Sequence, residues 1–377
     1  MRIKPFELER WQSVWENRVE LNISESGVHP MTLAELAGDP ETLQRLAGVS
    51  FGYPQTNGSE ELRSRIAAQY PGAGTGHVLV TNGGSEANFV ACWALLEPGD
   101  EVVLMQPNYM QIGGVAEAFG AVVKPWWLRE ANGWAPDVDE LRSLLTPKTK
   151  LVAICNPNNP TGAVMREEAI RDICAAVRPT GAAILADEIY RGAEFDGVMT
   201  PTFWGQYERL VCTAGMSKAY GLPGLRMGWA VAEPKLAEKL WGYRDYTSIA
   251  SSLLSDLLAT LALEPARYAR IIERTRSIIR RNYPAVQEWV QRNGGRLRHA
   301  RPAAGAIAWV GYSGGRRSAE LAETLRSRRG VLLVPGTQFE MEGYLRVGFG
   351  GDAAQLTEAL RRVDAEFSTG ERAAAAT

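Results

Sequence analysis

Short apolar runs alternate with helical stretches through the middle of the chain. Residues 77–81, 101–105, 151–155, 182–186 and 209–213 each read as an apolar strand that ends in turn or loop residues. Helical patterning fills gaps between them, as in residues 85–96. Strands with little polar alternation are buried on both faces, so this order predicts an α/β fold with a largely parallel sheet. Ahead of it, residues 1–20 carry Phe6, Trp11 and Trp15 among charges and read as a helical arm. Residues 21–30 contain Gly27 and Pro30 and read as a loop. A long helical region starts at 234–241. Residues 268–292 form a charged helical pattern that Pro284 kinks or breaks. The runs 307–310, 331–334 and 344–347 then read as a smaller α/β unit, and the Ala-rich tail 368–377 as disordered. The expected organisation is an arm and substrate loop (1–45), a large domain (46–270) and a small C-terminal domain (271–377).

Composition narrows the function classes. A chain of 377 residues can bury two cores, and a formal net charge of −2 offers nothing to a nucleic acid or a membrane surface. No apolar run is long enough to span a bilayer, and the N-terminus lacks an apolar signal core. Cys92, Cys155, Cys174 and Cys212 stand singly in apolar segments, as buried thiols of a cytoplasmic protein do. With only His29, His77 and His299, no metal site is expected.

The chemistry-bearing residues fall in the loops after the strands, where an open α/β sheet binds its ligand. Gly83-Gly84-Ser85 lies between a strand and a helix, and backbone N–H groups there with the Ser85 hydroxyl suit a phosphate. Tyr109 follows a strand end and can stack on a ring. In Asn156-Pro157-Asn158-Asn159-Pro160-Thr161-Gly162 two prolines make a rigid loop that fixes Asn159 as a hydrogen-bonding group. Asp187 closes a buried strand and needs a cationic partner, with Tyr190 three residues on. Lys218, in Gly215-Met216-Ser217-Lys218, sits in a Gly-, Ser- and Arg-rich loop where burial and neighbouring cations favour the neutral amine. Arg226 can serve the same phosphate as Ser217. Together these are the groups that pyridoxal 5′-phosphate (PLP) requires: a lysine for its aldehyde, an anion for its ring nitrogen, phosphate donors and an aromatic face.

In motif order and spacing, residues 45–350 resemble the class I/II aminotransferases of PLP fold type I. The resemblance implies a Schiff base and proton shuttle at Lys218 and an Asp187–pyridinium pair. It implies that Tyr190 and Asn159 bond the ring hydroxyl, that Tyr109 stacks, and that Gly84, Ser85, Ser217 and Arg226 hold the phosphate. It also implies that Arg346 clamps the substrate carboxylate, that Tyr53 reaches a partner subunit's phosphate, and that the protein is a homodimer acting on amino and keto acids. Two features depart from the family. Gly215 stands where a serine is usual, and Ser24-Glu25-Ser26-Gly27-Val28-His29-Pro30 replaces the usual loop that closes over substrate, placing Gly27 and His29 near it. That loop is similar to the one in capreomycidine synthase-like enzymes and PLP-dependent arginine oxidases, where a histidine stands in a comparable place and His29 could act as acid or base.

Transamination is the leading expectation. The alternatives are β-elimination, β- or γ-replacement including cyclisation, decarboxylation, and oxidative deamination on the same scaffold, in natural-product biosynthesis. A PLP-sensing transcription regulator is disfavoured, because the arm and first loop begin at once and leave no space for a DNA-binding domain.

Overall fold

A computed structural model gives the fold and describes residues 2–374. Leu21–Asn22 (β1) forms a short strand inside the segment expected to be a loop. It pairs in parallel with the last third of the chain. The main sheet uses Val78–Thr81 (β2), Glu101–Gln106 (β3), Val122–Trp127 (β4), Thr149–Cys155 (β5), Ala183–Asp187 (β6), Leu210–Gly215 (β7) and Gly228–Ala232 (β8). Their order is β2-β8-β7-β6-β5-β3-β4. The pairs from β4 through β7 are parallel, while β8 runs antiparallel to both neighbours. Along β5, Val152 and Ile154 join one core, and Leu151 and Ala153 join another on the opposite face. This two-sided burial explains the unbroken apolar text of that strand.

The later strands are Leu297–His299 (β9), Ile307–Tyr312 (β10), Val331–Leu332 (β11), Val334–Pro335 (β12) and Tyr344–Gly348 (β13). β12-β13-β10-β9 form an antiparallel sheet with its own core, and β11 takes β1. The single strand expected over 331–334 is therefore two, split at Leu333 between two sheets. The helix Pro265–Arg292 runs through Pro284 without a break. A missing N–H costs one helical bond, and buried Tyr283, Val286 and Trp289 anchor that stretch in the smaller core. The tail expected to be disordered is helical as far as Ala374 in the helix Ala353–Ala374, since Ala, Glu and Arg are strong helix formers. Residues 375–377 lie outside the described residues. All four cysteines are free and buried. No helix among the described residues is long and apolar enough to cross a membrane.

Candidate active site

Because β2, β3, β5, β6 and β7 point the same way, their C-terminal ends share one edge of the sheet. A cavity of about 290 Å³ opens there. It gathers Gly84, Ser85, Tyr109, Asn159, Asp187, Tyr190, Ser217, Lys218, Arg226 and Arg346, residues drawn from the whole length of the chain.

One end of the cavity suits an anion. The helix Gly84–Leu95 begins directly after β2, leaving its first N–H groups free of helical partners. Arg226 adopts the left-handed conformation at φ 48°, and its Nη1 lies 3.4 Å from the Ser217 hydroxyl oxygen. The same guanidinium lies against Gly83, where a Cβ would come within 2.7 Å of Nη2, so a side chain at residue 83 would push the guanidinium out of its place. Gly215 has a packing reason as well. A Cβ there would stand 2.9 Å from the Met227 carbonyl oxygen and 3.2 Å from the Gly228 Cα. Restoring the usual serine by Gly215→Ser is therefore expected to cost about 1–3 kcal/mol of stability by overpacking. A thermal melt of the variant checks this.

The opposite end suits a cation. Asp187 is 8% exposed, and among the described residues no cationic side chain pairs with it, which leaves it available to a cationic group of a ligand. Its Oδ2 accepts from Asn88 Nδ2 at 3.0 Å and its Oδ1 from the Ile189 N–H at 3.1 Å. Burial pushes this carboxyl up from its ordinary range, and the two hydrogen bonds offset part of that effect.

Between the ends stands Lys218. Its Nζ is 3.8 Å from Glu25 Oε2, so a carboxylate stands beside the amine, and Arg226 and Arg346 line the same cavity. Gly27 packs on the lysine stem, where a Cβ would lie 3.6 Å from Cδ. The Tyr190 hydroxyl donates to Ser26 Oγ at 2.9 Å. Arg346 is 1% exposed. It donates from Nη1 to Asn159 Oδ1 at 3.1 Å and from Nη2 to the Ser24 carbonyl at 2.7 Å. Its Nε has no partner in the structure. Burial pushes this guanidinium below its ordinary value, and the charges of Glu25 and Glu9 partly oppose the shift.

Two residues picked out by sequence lie elsewhere. His29 is exposed and does not line the cavity. Its N–H donates to the Gly350 carbonyl at 2.7 Å and its own carbonyl accepts from Arg274 at 2.9 Å. Buried Val28 anchors the loop in the smaller core, and His29 follows on the outside. Tyr53 is 87% exposed and also lies off this cavity.

The sequence reading missed a carboxylate-rich wall. Glu9, Gln12 and Glu16 belong to the N-terminal helix Glu7–Trp15 and its C-cap, at spacings of three and four, and all three line the cavity. Glu9 Oε1 accepts from the Tyr109 hydroxyl at 2.6 Å. Gln12 donates to the Ser24 carbonyl at 3.1 Å. The carboxyl of Glu16 is pushed up by burial and then by the charges of Glu25 and Glu9. A carboxylate at a helix C-terminus also opposes the helix dipole. The polar face of the arm was visible in the sequence, but nothing there showed that it turns inward.

The Aminotransferase class I and II family model matches residues 34–363. The chain belongs to that family. Capreomycidine synthase from Streptomyces vinaceus is 35% identical over 97% of this chain and 94% of its own. Arginine–pyruvate transaminase AruH from Pseudomonas aeruginosa is 30% identical over 82% and 81%. Among solved structures, a PLP-dependent aminotransferase from Streptococcus suis superposes with a TM-score of 0.90 at 34% identity, over 96% of this chain and 97% of that one. The PLP-dependent cyclase OrfR superposes with a TM-score of 0.86 at 29% identity, over 97% of each chain. The fold is PLP fold type I, and the protein is an enzyme of the PLP-dependent aminotransferase superfamily with PLP as its cofactor.

Proposed function

We propose that this enzyme acts at the α-carbon of an amino acid with a cationic side chain and transfers its amino group to a keto acid. The unpaired charges of the cavity carry the reading. Asp187, buried without a cation, fits a protonated ring nitrogen. Arg226, Ser85, Ser217 and the start of the helix Gly84–Leu95 fit a phosphate dianion. Arg346, with a free buried Nε, fits the substrate carboxylate. Glu25 faces Lys218. Glu9 and Glu16 then remain on one wall with no ion pair among the described residues, and a guanidinium or ammonium side chain supplies a cation.

When bound, PLP supplies an aldehyde that takes the substrate amine and a protonated ring that withdraws electrons from the α-carbon. The rest of the chemistry belongs to the chain. Lys218 would hold the aldehyde before substrate arrives and would then remove the Cα proton as general base. Arg346 fixes the carboxylate and Asn159 orients Arg346. Tyr109 would offer its ring to a bound cofactor, and its hydroxyl, held by Glu9, ties that wall of the cavity to the N-terminal helix. The strap of residues 23–27 closes the cavity over Lys218. Its carbonyls accept from Gly348 N–H at 2.7 Å and from Arg346.

The similarity to capreomycidine synthase and to the cyclase OrfR favours a second reading, in which loss of the Cα proton leads to bond making on the side chain. Both readings share Lys218, Asp187 and Arg346. They part at the product. Purified enzyme with PLP, a cationic amino acid and pyruvate is expected to yield the donor's keto acid and alanine. A ring-closed product that keeps its α-nitrogen would select the second reading, and ammonia, CO2 or peroxide would mark elimination, decarboxylation or oxidation.

Glu16→Gln tests the cationic wall. The preference for arginine over citrulline, an uncharged near-isostere, is expected to fall by about ten-fold, the value of one charge-assisted hydrogen bond. An unchanged ratio would remove Glu16 from substrate recognition. We also propose a homodimer in which the hydroxyl of the exposed Tyr53 donates to the cofactor phosphate of the other copy. Tyr53→Phe is expected to weaken PLP binding about ten-fold, measured by equilibrium dialysis.

A further inference from the structure

Three polar residues stack behind the cavity in an order that no motif announced. Thr213 lies on β7 directly beside Asp187 on β6, the two being register partners. Asn88 comes from the helix Gly84–Leu95 and reaches both. All are buried, Thr213 at 0% and Asn88 at 2% exposed. The Thr213 hydroxyl donates to Asn88 Oδ1 at 2.6 Å, and Asn88 Nδ2 donates to Asp187 Oδ2 at 3.0 Å.

The direction of these bonds is forced. An ionised carboxylate only accepts, so the amide nitrogen must face Asp187. The amide oxygen then faces Thr213, and the hydroxyl must donate. Without that hydroxyl, nothing on the far side of the amide rewards this orientation. A turned amide would set an oxygen against a buried carboxylate, where unsatisfied polar contacts cost most. The Ile189 N–H holds the other oxygen. Asp187 is thus gripped at both oxygens, by one bond from its own turn and one from a neighbouring element.

We infer that Thr213 and Asn88 are positioning residues, a hydrogen-bond relay that orients Asp187 towards the cofactor's protonated ring nitrogen. This rests on the proposed pairing of Asp187 with that nitrogen. The relay also gives the helix Gly84–Leu95 two duties. Its first turn offers N–H groups to the phosphate, and its second turn orients the carboxylate at the opposite end of the ring. One rigid element thereby sets both ends of the cofactor.

The test uses Thr213→Val, which removes the hydroxyl at nearly constant volume, and Thr213→Ser, which keeps it. Holoenzyme is loaded with PLP labelled with 15N in the ring, and the ring-nitrogen chemical shift reports its protonation. Thr213→Val and Asn88→Ala are expected to move that signal towards the unprotonated form. They should also lower kcat about ten-fold, with KM for the amino donor changing less than about two-fold. Thr213→Ser should restore both readouts. A wild-type ring-nitrogen signal in Thr213→Val and Asn88→Ala would overturn the relay. So would equal losses in Thr213→Val and Thr213→Ser, which would reduce Thr213 to packing. A wild-type signal in Asp187→Asn would locate the failure in the Asp187 pairing itself and remove the relay with it.

Discussion

Lys218→Ala is expected to abolish turnover, lowering kcat by at least about 10³-fold, and to erase the visible absorbance of the lysine–cofactor linkage. The loss is large because two functions share one nitrogen. In the proposed function it anchors the aldehyde covalently and then takes the Cα proton. Its surroundings narrow the possible substitutes. Gly27 packs against the stem, and Glu25 is the only carboxylate within 4 Å of Nζ among the described residues. PLP should still bind the variant, because Arg226, Ser85, Ser217 and Asp187 remain. Absorbance and cofactor retention on gel filtration measure the two effects separately. A variant that kept the linkage absorbance would move the covalent anchor to another lysine.

Arg346→Ala is expected to lower kcat/KM by about 30-fold or more, chiefly through KM, since removing one side of a buried charge pair costs about 2–5 kcal/mol. The structure shows why the group is costly to keep. Arg346 is fully buried, its charge is disfavoured there, and Nε has no partner. In the proposed function a substrate carboxylate meets that need. Truncation also strips donors from Asn159 and from the Ser24 carbonyl, so folding needs a control. Arg346→Lys keeps a charge but loses the two-pronged geometry, and should recover only part of the affinity. Steady-state kinetics on both variants, with PLP occupancy checked by absorbance, measures the effect. An unchanged KM in a folded, PLP-loaded Arg346→Ala would remove this residue from substrate binding.

The large sheet was legible because its central strands are apolar on both faces, and such runs are hard to hide. β4 escaped because it is an edge strand with Pro125 and exposed Val122, so its pattern lacks that signal. β8 escaped because it begins inside the glycine-rich stretch after Arg226 and looks like loop. The cavity-lining residues that were legible stand at strand ends in rigid or glycine-rich turns, where local chemistry constrains residue type. Asn88, Thr213, Glu9 and Glu16 were not, because each has an ordinary local setting and gains its meaning from a contact far away in sequence. His29 shows the converse. A loop histidine looked chemical, yet the neighbouring Val28 fixes the chain so that the imidazole lies outside the cavity.

The net charge of the chain is nearly balanced, but the cavity is not. Once cofactor, carboxylate and Lys218 have taken their partners, Glu9 and Glu16 remain, and this surplus is the reason for assigning a cationic substrate. The most direct test is the ratio of kcat/KM for arginine to that for citrulline with the unmodified PLP-loaded enzyme. A ratio on the order of ten- to a hundred-fold is expected, since charge-assisted hydrogen bonds contribute roughly 1.5–3 kcal/mol. A ratio near one, or a preference for citrulline or an acidic donor, would contradict the assignment.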